Sequence, residues 1–572
     1  MSGAADNSAR AEGLGVAWAT AAVAGAFSLI VCALLGFNFA RMRGADLRDS
    51  DQLNALKQEL FRRPGDPQLQ QRIRRLDLQL RLDYFRRRSF AATGAWLLLG
   101  GAAVCLIGAK LAAGLRKRPP APQPQDPTTD RHARAAALAR WSAAAAGLAL
   151  ACAAILLAAT TRSSLDDLLK AEPPLPSPGE MSDNWPGFRG PGGAGISAYA
   201  DVPTSWNGRT GEGILWKTPV PLPGQNSPVV WADRVFLTGA TEKQREVYCF
   251  DAGTGKLLWR RPVSTPAGSR EVPRVEEGAG FAAPTAAVDG RRVYAIFANG
   301  DLACFDFGGS QLWAKSLGLP DNDYGYASSL TTHRHLLIVQ YDQNMDAEGR
   351  SRSQLIALDG ATGRVAWVTD RDVPDSWATP IVAETPRGWQ LITSADPWVI
   401  AYDPADGREI WRAKCMAGDV APSPTYGAGL VFAVNSEAEL VAIRPDGTGD
   451  VTTTHVAWTA QADLPDICSP LCDGKRLYLL TSDGLLTCYA AGDGKKLWQH
   501  ELETTFHCSP SLAGDRIYLI SQGGLTWIVA AADAYEEIGK AELGENCDTC
   551  PAFMDGRIYI RGEKHLFCIG RK

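Results

Sequence analysis

The chain has little net charge: 58 basic residues face 63 acidic ones over 572 positions, a formal charge of −5. That balance leaves no electrostatic footprint for nucleic acid. The sequence has no phosphate-binding glycine loop, no nucleophile elbow and no zinc-protease helix motif. Common routes to phosphoryl transfer, acyl transfer and metal-assisted hydrolysis therefore have no starting point. Cysteine itself is not scarce, at 13 residues, but its diagnostic patterns are. No histidine follows Cys550 in Cys547-Asp-Thr-Cys550, which excludes a c-type haem attachment site. No second Cys-x-x-Cys stands at zinc-ribbon spacing.

What is present is repetition. Asp251…Thr254-Gly255…Trp259 recurs as Asp359…Thr362-Gly363…Trp367 with identical spacing. Asp403…Asp406-Gly407…Trp411 and Ala490…Asp493-Gly494…Trp498 keep the turn and the tryptophan, and Trp313 and Trp458 close looser copies. A period of roughly 40 to 54 residues marks a repeat architecture. Each unit reads as four short antiparallel strands, with Val, Ile, Tyr and Leu in alternating runs bounded by Gly/Asp turns. A lone four-stranded sheet cannot bury both faces, whereas radial stacking can, so the fold class is an all-β, eight-bladed β-propeller. The tryptophans read as wedges between blades.

Eight inner strands are expected to start near Ser227-Pro228, Ala283-Pro284, Ser328-Ser329, Thr379-Pro380, Ser423-Pro424, Ser469-Pro470, Ser509-Pro510 and Cys550-Pro551. The last unit ends before any Trp strand, and an unclaimed one, Ile214-Leu215-Trp216-Lys217-Thr218, precedes the first. The expected closure gives that N-terminal strand to the eighth blade, which removes a free sheet edge.

The N-terminal third is a helical membrane module. Three uncharged runs, at 13–40, 89–109 and 141–161, each reach the roughly 20 apolar residues that a spanning helix needs. Gly101, Cys105 and Ala109 fall at four-residue spacing in the second, a pattern that permits close helix packing in lipid. The expected organisation is a tail at 1–12, transmembrane helices at 13–40, 89–115 and 139–161, a charged helical hairpin at 41–88, a basic Pro-rich linker at 116–138, a Pro-rich spacer at 162–183 and the propeller at 184–572. Counting arginines places the 41–88 hairpin in the cytoplasm, and the propeller with it.

Asp-x-x-Thr-Gly-x-x-x-Trp resembles the repeat of the pyrroloquinoline-quinone-like β-propellers, the superfamily of the quinoprotein alcohol dehydrogenases and of BamB-like outer-membrane assembly proteins. Trp185-Pro-Gly-Phe-Arg-Gly-Pro-Gly-Gly-Ala-Gly195 and the closing Gly556–Gly570 stretch look like a membrane-anchored subgroup common in planctomycete-type bacteria. The resemblance covers about 184–572 and bears on fold more than on activity. It implies a multi-pass protein of the bacterial inner membrane, in contact with the lipid bilayer. Against the arginine count, it implies a periplasmic propeller that binds a protein partner of the cell envelope.

The cysteines divide. Cys249, Cys304, Cys488 and Cys568 share one repeat position with Ala357, Ala401 and Ala442, and read as small buried fillers. Cys468, Cys508, Cys547 and Cys550 lie at inner-strand starts near one channel mouth, with His507 and Asp466 close in sequence. They suit unconnected packing, a disulfide or a metal. Quinoprotein dehydrogenases use an adjacent cysteine pair, and this chain has no Cys-Cys dipeptide. No catalytic residue, metal ligand or cofactor is therefore assigned. The expected function is a binding or scaffold module, and pyrroloquinoline quinone enters only under the alternative of a periplasmic redox enzyme.

Overall fold

The computed structural model describes residues 2–43, 94, 97–114, 116, 175–263, 272–276 and 278–571. The chain divides into two compact units, Met1–Glu172 and Pro173–Lys572.

In the first unit, helix α1 spans Ser2–Arg43. Two helical stretches among the described residues, Leu14–Leu35 and Leu97–Gly114, are long and apolar enough to cross a membrane. They pack antiparallel through small residues. A Cβ on Gly108 would stand 3.2 Å from Ala21, one on Gly25 would stand 3.4 Å from the Cys105 sulfur, and one on Gly94 would meet Leu35. The small face follows Gly101, Cys105, Gly108 and Ala112, while Ala109 is exposed. The spacing alternates four and three residues, as helix pairs with a 3.5-residue seam require, so the strict four-residue reading through Ala109 drifts off the contact. The hairpin expected at 41–88 and the span expected at 139–161 lie outside the described residues.

The second unit is the propeller. Eight sheets each contain a four-stranded antiparallel meander. In the first blade the strands are Val229–Trp231, Arg234–Ala240, Arg245–Asp251 and Leu257–Pro262, from inner to outer. The eighth blade takes Ala552–Met554, Arg557–Arg561 and His565–Ile569 from the C-terminal end of the chain, and Ile214–Pro219 as its outer strand. Thr218 pairs with Leu566 and Trp216 with Cys568, which is the expected closure. Two blades carry a fifth strand, both parallel. Gly449–Asp450 adds to the outer edge of the fourth blade, and Ile196–Ser197 to the inner edge of the seventh.

The repeat motif explains the stacking. Thr254 donates its backbone and side-chain hydrogens to the Asp251 carboxylate, and Thr362 does the same to Asp359. These bonds fix a turn that needs positive φ at Gly255 (71°). The tryptophan of one blade lies on the turn glycine of the next: a Cβ on Gly255 would come within 2.5 Å of the Trp216 indole. The indole N–H then donates across the gap, Trp216 to Ala252 O (3.0 Å), Trp259 to Phe307 O (2.9 Å) and Trp313 to Gly360 O (2.9 Å). Trp411 reaches its neighbour through a relay, donating to Gln390, whose amide donates to Pro445 O.

The filler cysteines have the same origin. Cys249, Cys304, Cys488 and Cys568 pair directly with Trp259, Trp313, Trp498 and Trp216, as Ala357, Ala401 and Ala442 pair with Trp367, Trp411 and Trp458. In the seventh blade both partners switch, and Ile528 faces Gly539. Trp206, from the entering segment, is buried there in one core with Ala541 and Leu543.

Candidate site at the channel mouth

The inner strands all start in one register. Two residues before each lies a residue whose backbone N–H donates to the side chain of its counterpart in the next blade. The chain of bonds runs Ser227, Thr285, Ser329, Thr379, Ser423, Ser469, Ser509, Cys550 and back to Ser227, at 2.9–3.3 Å. Each bond is worth about 1 kcal/mol net, and leaving a buried partner unmet costs more. In the second blade, whose strand is expected to start near Ala283-Pro284, the ring residue is Thr285, because Pro284 here precedes the hydroxyl instead of following it. Cys550 is the one sulfur in a ring of hydroxyls.

The entering segment crosses the mouth beside this ring. Trp185 bridges Val230 of the first blade, Pro186 accepts from Val288 of the second, and Gly195 accepts from Leu512 of the seventh. Between these anchors Arg189 is fully buried. Its Nη2 donates to Pro470 O of the sixth blade (2.8 Å), and its Nε and Nη1 have no hydrogen-bond partner. Gly195 must be glycine, since a Cβ would lie 2.9 Å from the guanidinium. Burial lowers the Arg189 pKa to about 10, against the opposing influence of Cys550, Cys508 and Cys468.

Three of the four predicted thiols, each supplied by a different blade, thus act electrostatically on one cation. Cys468 Sγ donates to Cys508 O (3.5 Å), and Cys508 Sγ to Ser509 O (3.4 Å). Cys550 Sγ accepts the Ser509 N–H (3.3 Å). Cys508, Arg189 and Ser509 hold the Cys550 thiol below its usual range although burial opposes them, while burial drives Cys468 and Cys508 well above theirs. Cys547 turns away, donating to Arg561 O (3.4 Å), and burial pushes it up to about 12. His507 pairs with Asp548 (3.1 Å), and Asp466 accepts from Ser482 (2.9 Å). Among the described residues no three His, Cys, Asp or Glu side chains come together to hold a metal.

A groove of about 540 Å³ opens beside the crossing segment. Met181, Phe188, Leu330, His333, Val382 and Trp389 line it. His333 packs at a tilt of 52° against Trp389, with ring centroids 5.1 Å apart, and burial, then Arg334 and His335, lower its pKa to about 4. Neither Arg189 nor the groove was read from the sequence. The only signal was the Trp185–Gly195 motif, whose glycines and buried arginine gain meaning once the segment lies on the channel.

The family model for outer membrane protein assembly factor BamB matches residues 197–330, 243–378, 351–469 and 450–540. Outer membrane protein assembly factor BamB of Burkholderia pseudomallei (strain K96243) is 26% identical over 199 residues, 34% of this chain and 45% of that protein. The chain thus spans less than half the length of this curated relative. Among solved structures, a europium-containing methanol dehydrogenase aligns with a TM-score of 0.51 at 11% identity, over 70% of this chain and 92% of its own. BamB from Moraxella catarrhalis aligns with a TM-score of 0.46 at 15% identity, over 63% of this chain and 97% of its own. These structural likenesses concern the fold.

The sequence has no adjacent cysteine pair, and Arg189 of the crossing segment is fully buried beside the ring.

Proposed function

The chain belongs to the family of outer membrane protein assembly factor BamB, and from that premise we propose that it is a membrane-anchored scaffold of the cell envelope that binds a protein partner during outer-membrane protein assembly. One observation carries the reading: the channel mouth, where a propeller enzyme would place its chemistry, is crossed by Trp185–Gly195 and filled by Arg189. What remains is a rigid closed ring with exposed loops and a groove beside the crossing segment, an arrangement suited to recognition. The two apolar helices support anchoring in the inner membrane, and the family supports a periplasmic propeller.

The test is crosslinking in intact cells followed by purification of the detergent-solubilised full-length chain. A partner from the envelope should co-purify in constant ratio, with no change on adding pyrroloquinoline quinone and calcium. A chain that purifies alone and oxidises alcohols or sugars only when the quinone is supplied would overturn the reading.

A further inference from the structure

We propose that Cys508 and Cys550 are a redox-active pair that closes a disulfide between the seventh and eighth blades, with Cys550 as the attacking sulfur and Arg189 as the cation that readies it. The geometry singles out this pair. Both sulfurs contact Ser509, Cys508 through its carbonyl at 3.4 Å and Cys550 through its N–H at 3.3 Å, and each thiol shifts the protonation of the other. Cys547 is held elsewhere, on Arg561 O (3.4 Å), and Cys468 donates to the backbone carbonyl of Cys508 (3.5 Å) without reaching Ser509.

Cys550 also departs from its ring. The other seven positions are five serines and two threonines, so a hydroxyl satisfies the inter-blade bond. A thiol adds nothing to that bond and adds the chemistry of sulfur. Arg189 supplies the second half. It is wholly buried, with Nε and Nη1 unpartnered, and its charge acts on the Cys550 thiol. A cation beside a thiol favours the thiolate, which is the attacking species in exchange.

The co-reactant is a small disulfide. The Cys550 thiolate attacks one of its sulfurs, forming a mixed disulfide and releasing one thiolate. Cys508 then loses its proton and attacks the Cys550 sulfur, expelling the second. Two electrons pass from the pair to the external disulfide, and the two protons leave on the two released thiols. Cys550 is only 3% exposed, so exchange requires the crossing segment to lift.

The experiment incubates the full-length protein in detergent with oxidised glutathione, alkylates free thiols, and maps peptides by mass spectrometry. The expected result is a Cys508–Cys550 cross-linked peptide and two fewer alkylatable thiols. Cys550→Ser should abolish the cross-link and leave the melting temperature within a few degrees, since serine already serves at five ring positions. Arg189→Gln, which removes the cation, should slow Cys550 alkylation at neutral pH several-fold and move the pH midpoint of that reaction upward. Misfolding would expose Cys550 and speed its alkylation, and would lower the melting temperature, so a slower reaction at an unchanged melting temperature isolates the loss of the cation. Absence of the cross-link, a cross-link through Cys468 or Cys547, or an unmoved midpoint in Arg189→Gln would overturn the proposal.

Discussion

At the residue scale, the blade interface is a set of complementary sizes. A tryptophan on the outer strand demands a small residue beside it and a glycine on the next blade. Cys488→Ala should therefore change stability by less than about 1.5 kcal/mol. Cys488→Ile should cost about 1–3 kcal/mol, because Trp498 stands opposite. Denaturant melts of the two variants decide this, and equal stabilities would refute the pairing rule. His333 gives a pH signature. Its folded pKa, about 4, lies below the ordinary 6.5, so the folded form disfavours its protonation. Its contribution to stability is complete above pH 6.5 and is lost as pH falls toward 4. His333→Gln should flatten stability against pH in that window and nowhere else. The shared position of Cys249, Cys304, Cys488 and Cys568 was legible in the sequence because alanines stand in the equivalent places. The gathering of Cys468, Cys508 and Cys550 was legible only as nearness to one mouth. Arg189 was not legible, since it lies 279 residues before Cys468 by number and meets it only through the closed ring.

At the element scale, closure and crossing are separable. Chains starting at Ser182, at Ile214 and at Pro221 should form a series. The first keeps everything, the second loses the crossing segment, and the third also loses the outer strand with Trp216. The step from Ile214 to Pro221 should remove about 3 kcal/mol, the worth of one half-buried aromatic together with its strand ladder. Equal melting temperatures for those two chains would contradict the closure. The Ile214–Pro219 strand could be read in advance because it carries the repeat's tryptophan with no strands of its own. The crossing segment could not, because Pro and Gly give it no periodicity and its order comes from distant partners such as Val230 and Leu512. In the second blade Ala283-Pro284 marks the neighbourhood of the strand start, but the hydroxyl that makes the ring bond is the following Thr285.

At the scale of the whole molecule, a family propeller follows a module with two membrane-capable helices among its described residues. A periplasmic propeller predicts that alkaline phosphatase fused after Lys572 is active and that a fusion at Pro122 is inactive. The reverse pattern would show that the arginines of 41–88 set the topology. If this closed ring serves outer-membrane assembly through protein contacts, as proposed, cells depleted of the chain should hold less folded, heat-modifiable outer-membrane barrel protein, and the wild-type chain should restore it. Unchanged folded barrels after complete depletion would rule that role out.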